Sequence, residues 1–239
     1  MRPISKGLVP VDENGAQIVF TKYARSRRYL IDRIGEFCSY CERKIEANLA
    51  VEHVQPKATN PALALEWDNF LLGCTNCNST KGDKSVVLTD FVWPDMDNTF
   101  EYFEYNDTGI VHVSPLIQDP QLRQRIQNML DLVGLQKHPP QVGTVAWQEA
   151  SDRRFEHRLG AWKDANIYKE MYENATNDIR EGMKPLLVEL ISHQGFWSIW
   201  MSVFKDFQEI QLAFAQAIVG TNISYFPHLQ PDSDDYILP

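Results

Sequence analysis

Two C-x-x-C pairs, Cys38–Cys41 and Cys74–Cys77, account for every cysteine in this chain of 239 residues. Two such pairs supply four thiolates, the tetrahedral sulfur set that Zn²⁺ prefers, and no cysteine is left over. The other reading is four free thiols whose spacing is accidental. A disulfide framework would scatter its cysteines rather than confine them to positions 38–77, and a chain of this length buries a core without one. The pairs stand 32 residues apart. That is more than a simple zinc ribbon needs, so the metal is expected to clamp the two ends of something.

The clamped segment is polar in unusual places. Residues 48–54, NLAVEHV, read as a strand with Leu49, Val51 and His53 on one face and Ala50, Glu52 and Val54 on the other. Pro56 and Pro61 make the following stretch a loop, and 62–68 read as a short helix. Asn69 precedes a short apolar strand, Phe70 to Leu72, ended by Gly73. Asn78 follows the last cysteine, Lys81 comes three residues on, and a short helix is expected to start after Asn78, limited by Gly82. A lone histidine on a strand is more often structural than catalytic. A Glu-His pair, two asparagines and a lysine between two metal knuckles form a more specific set.

CSYC, EHVQP and NFLLGCTNCNSTK, in that order over residues 38–81, resemble the HNH nuclease motif of the ββα-metal class. The three-letter signature falls on His53, Asn69 and Asn78, with Asn in place of the last His. The resemblance implies a metal-dependent endonuclease. Phosphodiester hydrolysis needs an activated water, a Lewis acid and help for the leaving oxygen. His53 would be the general base, and Glu52 and Asn78 the ligands of a catalytic Mg²⁺ or Mn²⁺. Asn69 would pin the loop after His53, and Lys81 would contact a phosphate. Glu52 stands where Asp is common, and Asn78 is a weaker ligand than His. The opening MRPISKG and the helical second half also resemble the HNH subunit of Septu-type anti-phage systems and their retron-linked relatives. That likeness implies an SMC/ABC-type ATPase as partner and nucleic acid as substrate, with DNA favoured and tRNA the alternative. A non-catalytic zinc module that recruits a partner is the rival from another class.

The expected fold class is α+β: a zinc-clamped nuclease domain over residues 1–114, then a mainly helical, partner-binding domain over 115–239. Residues 1–20 read as an extended arm, strand-like at Gln17–Phe20. Residues 21–35 read as a basic helix between Thr21 and Gly35, on which Arg25 and Arg28 are candidate phosphate contacts. Residues 99–113 read as a β-hairpin turning at Asn106–Gly109. Leu122, Ile126, Met129, Leu130 and Val133 keep helical spacing ahead of Gly134. Residues 136–144 break the chain, 145–181 are charged and amphipathic, and 186–219 are apolar and interrupted at Gly195. Phe196, Trp197, Trp200, Phe204 and Phe207 fit a core stripe rather than a base-stacking platform. His112, His138, His157, His193 and His228 show no partner spacing. The last ten residues, with Asp232, Asp234 and Asp235, read as a loose tail.

The formal net charge of −9 argues against binding nucleic acid by bulk electrostatics. The charge is uneven, however. Residues 1–84 hold 12 Lys+Arg against 10 Asp+Glu, a net of +2, and 85–239 hold 11 against 22, a net of −11. The acidic part is therefore not expected to wrap a polyanion, and spare apolar surface in 186–219 is expected to pack on the ATPase. The longest uncharged run, Ile210 to Pro231, carries Gln, Asn, His, Gly and Pro and is a poor membrane span. A cytoplasmic protein with no membrane partner is expected.

Overall fold

The computed structural model describes residues 1–229, so the expected acidic tail lies outside the described residues. A single turn of 3₁₀ helix, Tyr23–Ser26, leads into α1 (Arg27–Ile34). Two four-residue strands, β1 (Ala50–His53) and β2 (Phe70–Gly73), then precede α2 (Thr75–Lys81). A second small unit follows: α3 (Thr99–Tyr102), β3 (Phe103–Glu104) and β4 (His112–Val113). The remainder is helical, with α4 (Pro120–Val133), α5 (Val145–Gln148), α6 (Arg154–Glu173), α7 (Asn177–Gln194), α8 (Trp197–Val203) and α9 (Gln208–Ala217). The class is α+β, as expected from the pattern.

Helix α4 follows its local signals closely. Asp119 caps its N-terminus, Pro120 takes the first turn, and Gly134 closes it in the left-handed conformation. Three other elements differ from expectation. Gln17 makes only an isolated bridge to Val11, so no strand forms at 17–20. Residues 62–68 form no helix, only 3₁₀ turns at Pro61–Leu63 and Trp67–Asn69. The expected hairpin shrinks to two paired positions, Phe103↔Val113 and Glu104↔His112. Tyr105, Ile110 and Val111 turn into the core, and buried Thr99 donates to the Met1 carbonyl, which holds the approach as a helical turn.

One buried apolar cluster runs through both halves of the chain, from Met1 and Leu30 through Leu72 and Trp93 to Trp200 and Phe214. The large residues of 186–219 are spent on it: Trp197, Trp200, Phe204 and Phe214 are fully buried. The expected spare apolar surface of this stretch is thus reduced to residues such as Leu186 and Val219, and stacking of bases on these rings is excluded by their burial.

The N-terminal arm is part of this core rather than a strand laid over it. Ile4 N donates to Pro94 O, Ser5 N to Gly220 O, and Asn222 N to Pro3 O. The Arg2 guanidinium donates to Ile34 O and to Thr221 Oγ1. Buried Lys6 bonds Asp68 O and Phe70 O and pairs with Asp95 at 2.8 Å. These groups leave water only because each finds a partner.

A second tie joins the first knuckle to the turn between α7 and α8. Glu42, buried beside Cys41, accepts from the Ser198 N–H at 2.7 Å and lies 3.1 Å from the Met1 ammonium. Gly195 sits against it at φ +77°, where a Cβ would fall 2.4 Å from Glu42 O. Both the conformation and the approach demand glycine. Gly195→Ala should therefore cost more than about 1 kcal/mol in urea unfolding. Gly182, exposed within α7 with nothing near its Cβ position, is the control: Gly182→Ala should stabilise by about 0.5–1 kcal/mol. Equal effects of the two substitutions would contradict this account of the Gly195 contact.

Candidate active site and metal centre

Strands β1 and β2 pair antiparallel in the register Ala50↔Gly73, Val51↔Leu72, Glu52↔Leu71 and His53↔Phe70. Val51 and Phe70 suit a pleated surface, and Val51, Glu52 and His53 are all buried. The chain then turns at Gly73 into α2. The first turn of that helix is capped by a cysteine: Cys74 Sγ accepts from Cys77 N at 3.4 Å. The helix therefore begins four residues before Ser79, where it was expected. Asn78 lies inside it, one turn before its end.

The first knuckle reaches the same place from the other side. Ser39 N donates to Leu72 O, and Ser39 Oγ accepts from Leu72 N, docking residues 38–41 against β2. All four sulfurs are buried and lie within 4.8 Å of one another. Cys41 Sγ and Cys74 Sγ are 3.7 Å apart. A tetrahedral site with metal–sulfur bonds of about 2.3 Å has edges of about 3.8 Å, so the four residues can hold a structural metal. Cys74 is held below the ordinary thiol range because the other cysteines donate toward its sulfur; burial pushes Cys38 and Cys77 up.

Beside this cluster, Glu52, His53, Asn78 and Lys81 line a cleft of about 140 Å³, together with Tyr23 and Lys57. The His53 ring stands edge-on between Tyr23 and Phe70, with centroids 5.0 and 5.3 Å away. Its Nε2 lies 3.1 Å from Ala64 O. A carbonyl only accepts, so Nε2 carries the proton and Nδ1 keeps the free lone pair. Burial holds the imidazole below its ordinary pKa; the Ala64 bond opposes this, and Lys57 and Lys81 add to it. The ring is neutral at neutral pH.

Asn69 ties the long β1–β2 loop together. Its Oδ1 accepts from Gln55 N at 2.7 Å, and its Nδ2 donates to Gln55 O and Leu63 O. Leu63 precedes the residue whose carbonyl orients His53. The asparagine thus acts on the imidazole through one peptide unit.

Glu52 and Asn78 flank Gly73. A Cβ on that glycine would meet the Glu52 Cβ at 3.1 Å and the Asn78 Cβ at 3.7 Å. Glu52 Oε1 lies 2.8 Å from Lys81 Nζ and has no other partner among the described residues. Burial pushes the Glu52 carboxyl above its ordinary range, and the Lys81 ammonium offsets only part of that. A buried carboxylate short of positive charge, with an amide oxygen donor in the same cleft, fits a hard divalent cation.

Lys81 differs from expectation. It is 1% exposed, pairs with Glu52 and donates to His53 O at 2.7 Å. Sequence spacing revealed its position but not its burial. Its ammonium braces β1 from within, at the wall of the cleft. Arg25 and Arg28 are exposed on the first helical segment and bond Thr21 and Asp32; neither lines the cleft. The exposed cation at the cleft is Lys57, whose Nζ lies 4.3 Å from the Tyr23 ring centroid.

Arg154 was not singled out from the sequence. Buried on α6, it donates to Cys77 Sγ at 3.1 Å across 77 positions of chain. No local signal marks such a contact.

Residues 38–84 match the HNH endonuclease family. The chain is also 32% identical over 82 residues to Septu protein PtuB of Bacillus thuringiensis. That alignment covers 32% of this chain and 32% of the relative, so the chain spans about a third of the length of the curated protein it matches. No helix among the described residues is long and apolar enough to cross a membrane. The strand pair, the capped helix and the four cysteines all lie within the stretch that matches the HNH endonuclease family, in a chain similar to PtuB.

Proposed function

We propose that this protein is a metal-dependent HNH endonuclease that hydrolyses phosphodiester bonds in nucleic acid, DNA in the first instance, as the nuclease subunit of a Septu-type anti-phage complex. The observation that carries the reading is the shared cleft: a neutral His53 with its Nδ1 lone pair free, beside Glu52 and Asn78. His53 Nδ1 takes a proton from the attacking water while Ala64 O holds the opposite edge of the ring. Asn69 keeps that carbonyl in place. Glu52 and Asn78 would hold Mg²⁺ or Mn²⁺, which supplies Lewis-acid stabilisation of the phosphate and leaving oxygen. Lys57, exposed at the cleft, makes the phosphate contact, while Lys81 is held by Glu52. Cys38, Cys41, Cys74 and Cys77 bind structural Zn²⁺.

Similarity to PtuB supports a PtuA-like ATPase of the SMC/ABC kind as the partner. The net −11 of residues 85–239 leaves the isolated chain a weak polyanion binder, so the partner supplies much of the grip. The deciding assay offers plasmid DNA and total tRNA separately, with and without the ATPase. Cleavage of tRNA alone would move the protein to an RNA-cleaving, retron-type role. Metal binding with no cleavage of either would make it a zinc adaptor.

His53→Ala should lower cleavage by about 10²–10⁴-fold with zinc content unchanged. Asn78→Ala should demand more divalent metal and recover partly at high Mn²⁺. Full activity of the His53 variant, read in a single-turnover assay, would place the chemistry elsewhere.

The two lysines should separate cleanly. Lys81→Met leaves the Glu52 charge buried without its partner and should cost about 3–5 kcal/mol in denaturant unfolding. Lys57→Ala should leave stability unchanged, raise KM for nucleic acid and flatten the salt dependence of binding. The reverse pattern would restore Lys81 as the phosphate contact.

Metal analysis of the purified protein should find about one zinc per chain, and Cys74→Ser should give metal-poor, poorly soluble protein. Well-folded protein without zinc would remove the clamp from the mechanism.

A further inference from the structure

Helix α6 passes the second knuckle with two buried arginines one turn apart, Arg154 and Arg158, exposed by 2% and 3%. Arg154 donates from Nη1 to Cys77 Sγ at 3.1 Å and to Val133 O at 2.7 Å. Its other nitrogens reach Gly134 O and the Asp152 carboxylate. Arg158 donates from Nε to Gly109 O at 2.7 Å and from Nη2 to Leu135 O at 2.9 Å. Its Nη1 is buried with no hydrogen-bond partner, and no carboxylate pairs with it among the described residues.

Taking two guanidiniums out of water costs several kcal/mol each unless negative charge lies close by. Asp152 answers for part of one. Among the described residues the sulfur cluster is the negative group that acts on both, through Cys41 and Cys77, because four thiolates around a divalent ion carry a formal net charge of −2. We infer that Arg154 and Arg158 are an outer shell of the four-cysteine metal site, Arg154 by hydrogen bond to Cys77 Sγ and Arg158 by charge, so that the helical half completes a centre whose ligands all lie in residues 38–77. This rests on the reading that the cysteines hold a divalent metal. A thiolate that accepts a charged N–H is less basic and less nucleophilic, so the pair slows loss of the metal and attack on the sulfurs. It also makes the metal site sensitive to how α6 is seated.

The test uses the full-length, metal-loaded protein and reads metal rather than cleavage. Zinc transfer to an excess of chromogenic chelator is timed for the wild type, Arg154→Lys and Arg154→Met. The Met variant should release zinc about ten- to a hundredfold faster, and iodoacetamide should alkylate its cysteines correspondingly faster. Arg154→Lys should fall between. A Met variant with wild-type circular dichroism and wild-type release rate would overturn the inference. Should that variant not fold, the wild type suffices. In protein labelled with ¹⁵N-arginine, replacing zinc by cadmium should move two guanidinium resonances, and no movement would overturn the assignment. Wild-type protein that carries no metal would instead overturn the metal reading, and this inference with it.

Discussion

Four sulfur atoms held within 4.8 Å of one another are the constraint on which the rest of this structure depends. They bring together two stretches of backbone that the chain separates by 32 residues. The position of the cleft is measured from that cluster. It seats the first knuckle on β2, and it gives α2 a thiolate N-cap. One turn later along α2 comes Asn78, and one turn later again comes Lys81. The cleft is therefore built on regular elements anchored at a single point, with only the β1–β2 loop left to be held by side chains. Asn69 supplies that hold with three hydrogen bonds from one amide.

Much of this was legible in the sequence where the signal is local. The cysteine spacing, the strand around Glu52 and His53, and helix α4 with its Asp119 cap and Gly134 stop all rest on neighbouring residues. Where the structure departed from expectation, the cause was a partner far along the chain. Helix α2 starts earlier than expected because a cysteine side chain, ordinarily a poor cap, is already oriented by the sulfur cluster. Lys81 reads as a surface cation in any one-dimensional view; only the packing of β1 on α2 turns it inward to Glu52. The hairpin at 99–113 is cut short because Tyr105 and Val111 are claimed by the core. Arg154 could not be found at all, since its sulfur partner lies 77 positions away.

Buried charge recurs throughout. Arg2, Lys6, Glu42, Glu52, Lys81, Arg154 and Arg158 are each less than a tenth exposed. Such groups contribute little net stability, because desolvation offsets most of the attraction. What they do impose is uniqueness. An apolar helix face can slide by a residue at small cost, but a guanidinium that must meet two carbonyls and a sulfur has one acceptable seat. The helices after residue 115 are thereby fixed in orientation against residues 38–81, and the cleft keeps its shape without a large sheet to support it.

The N-terminal arm adds a timing consequence. Met1 meets Tyr105 across 104 positions, Glu42 meets Ser198 across 156, and Arg2 meets Thr221 across 219. Contacts of such long range carry a high loop-closure entropy and form late. During synthesis, residues 1–6 must wait for residues 94–105 and 219–222 before they are satisfied, while the four cysteines all precede residue 78. The four cysteines can thus gather early, while residues 1–6 are still unpartnered, and the cleft acquires its full packing only after α8 and α9 are made. A fold assembled in that order gathers its cysteines first and becomes rigid last.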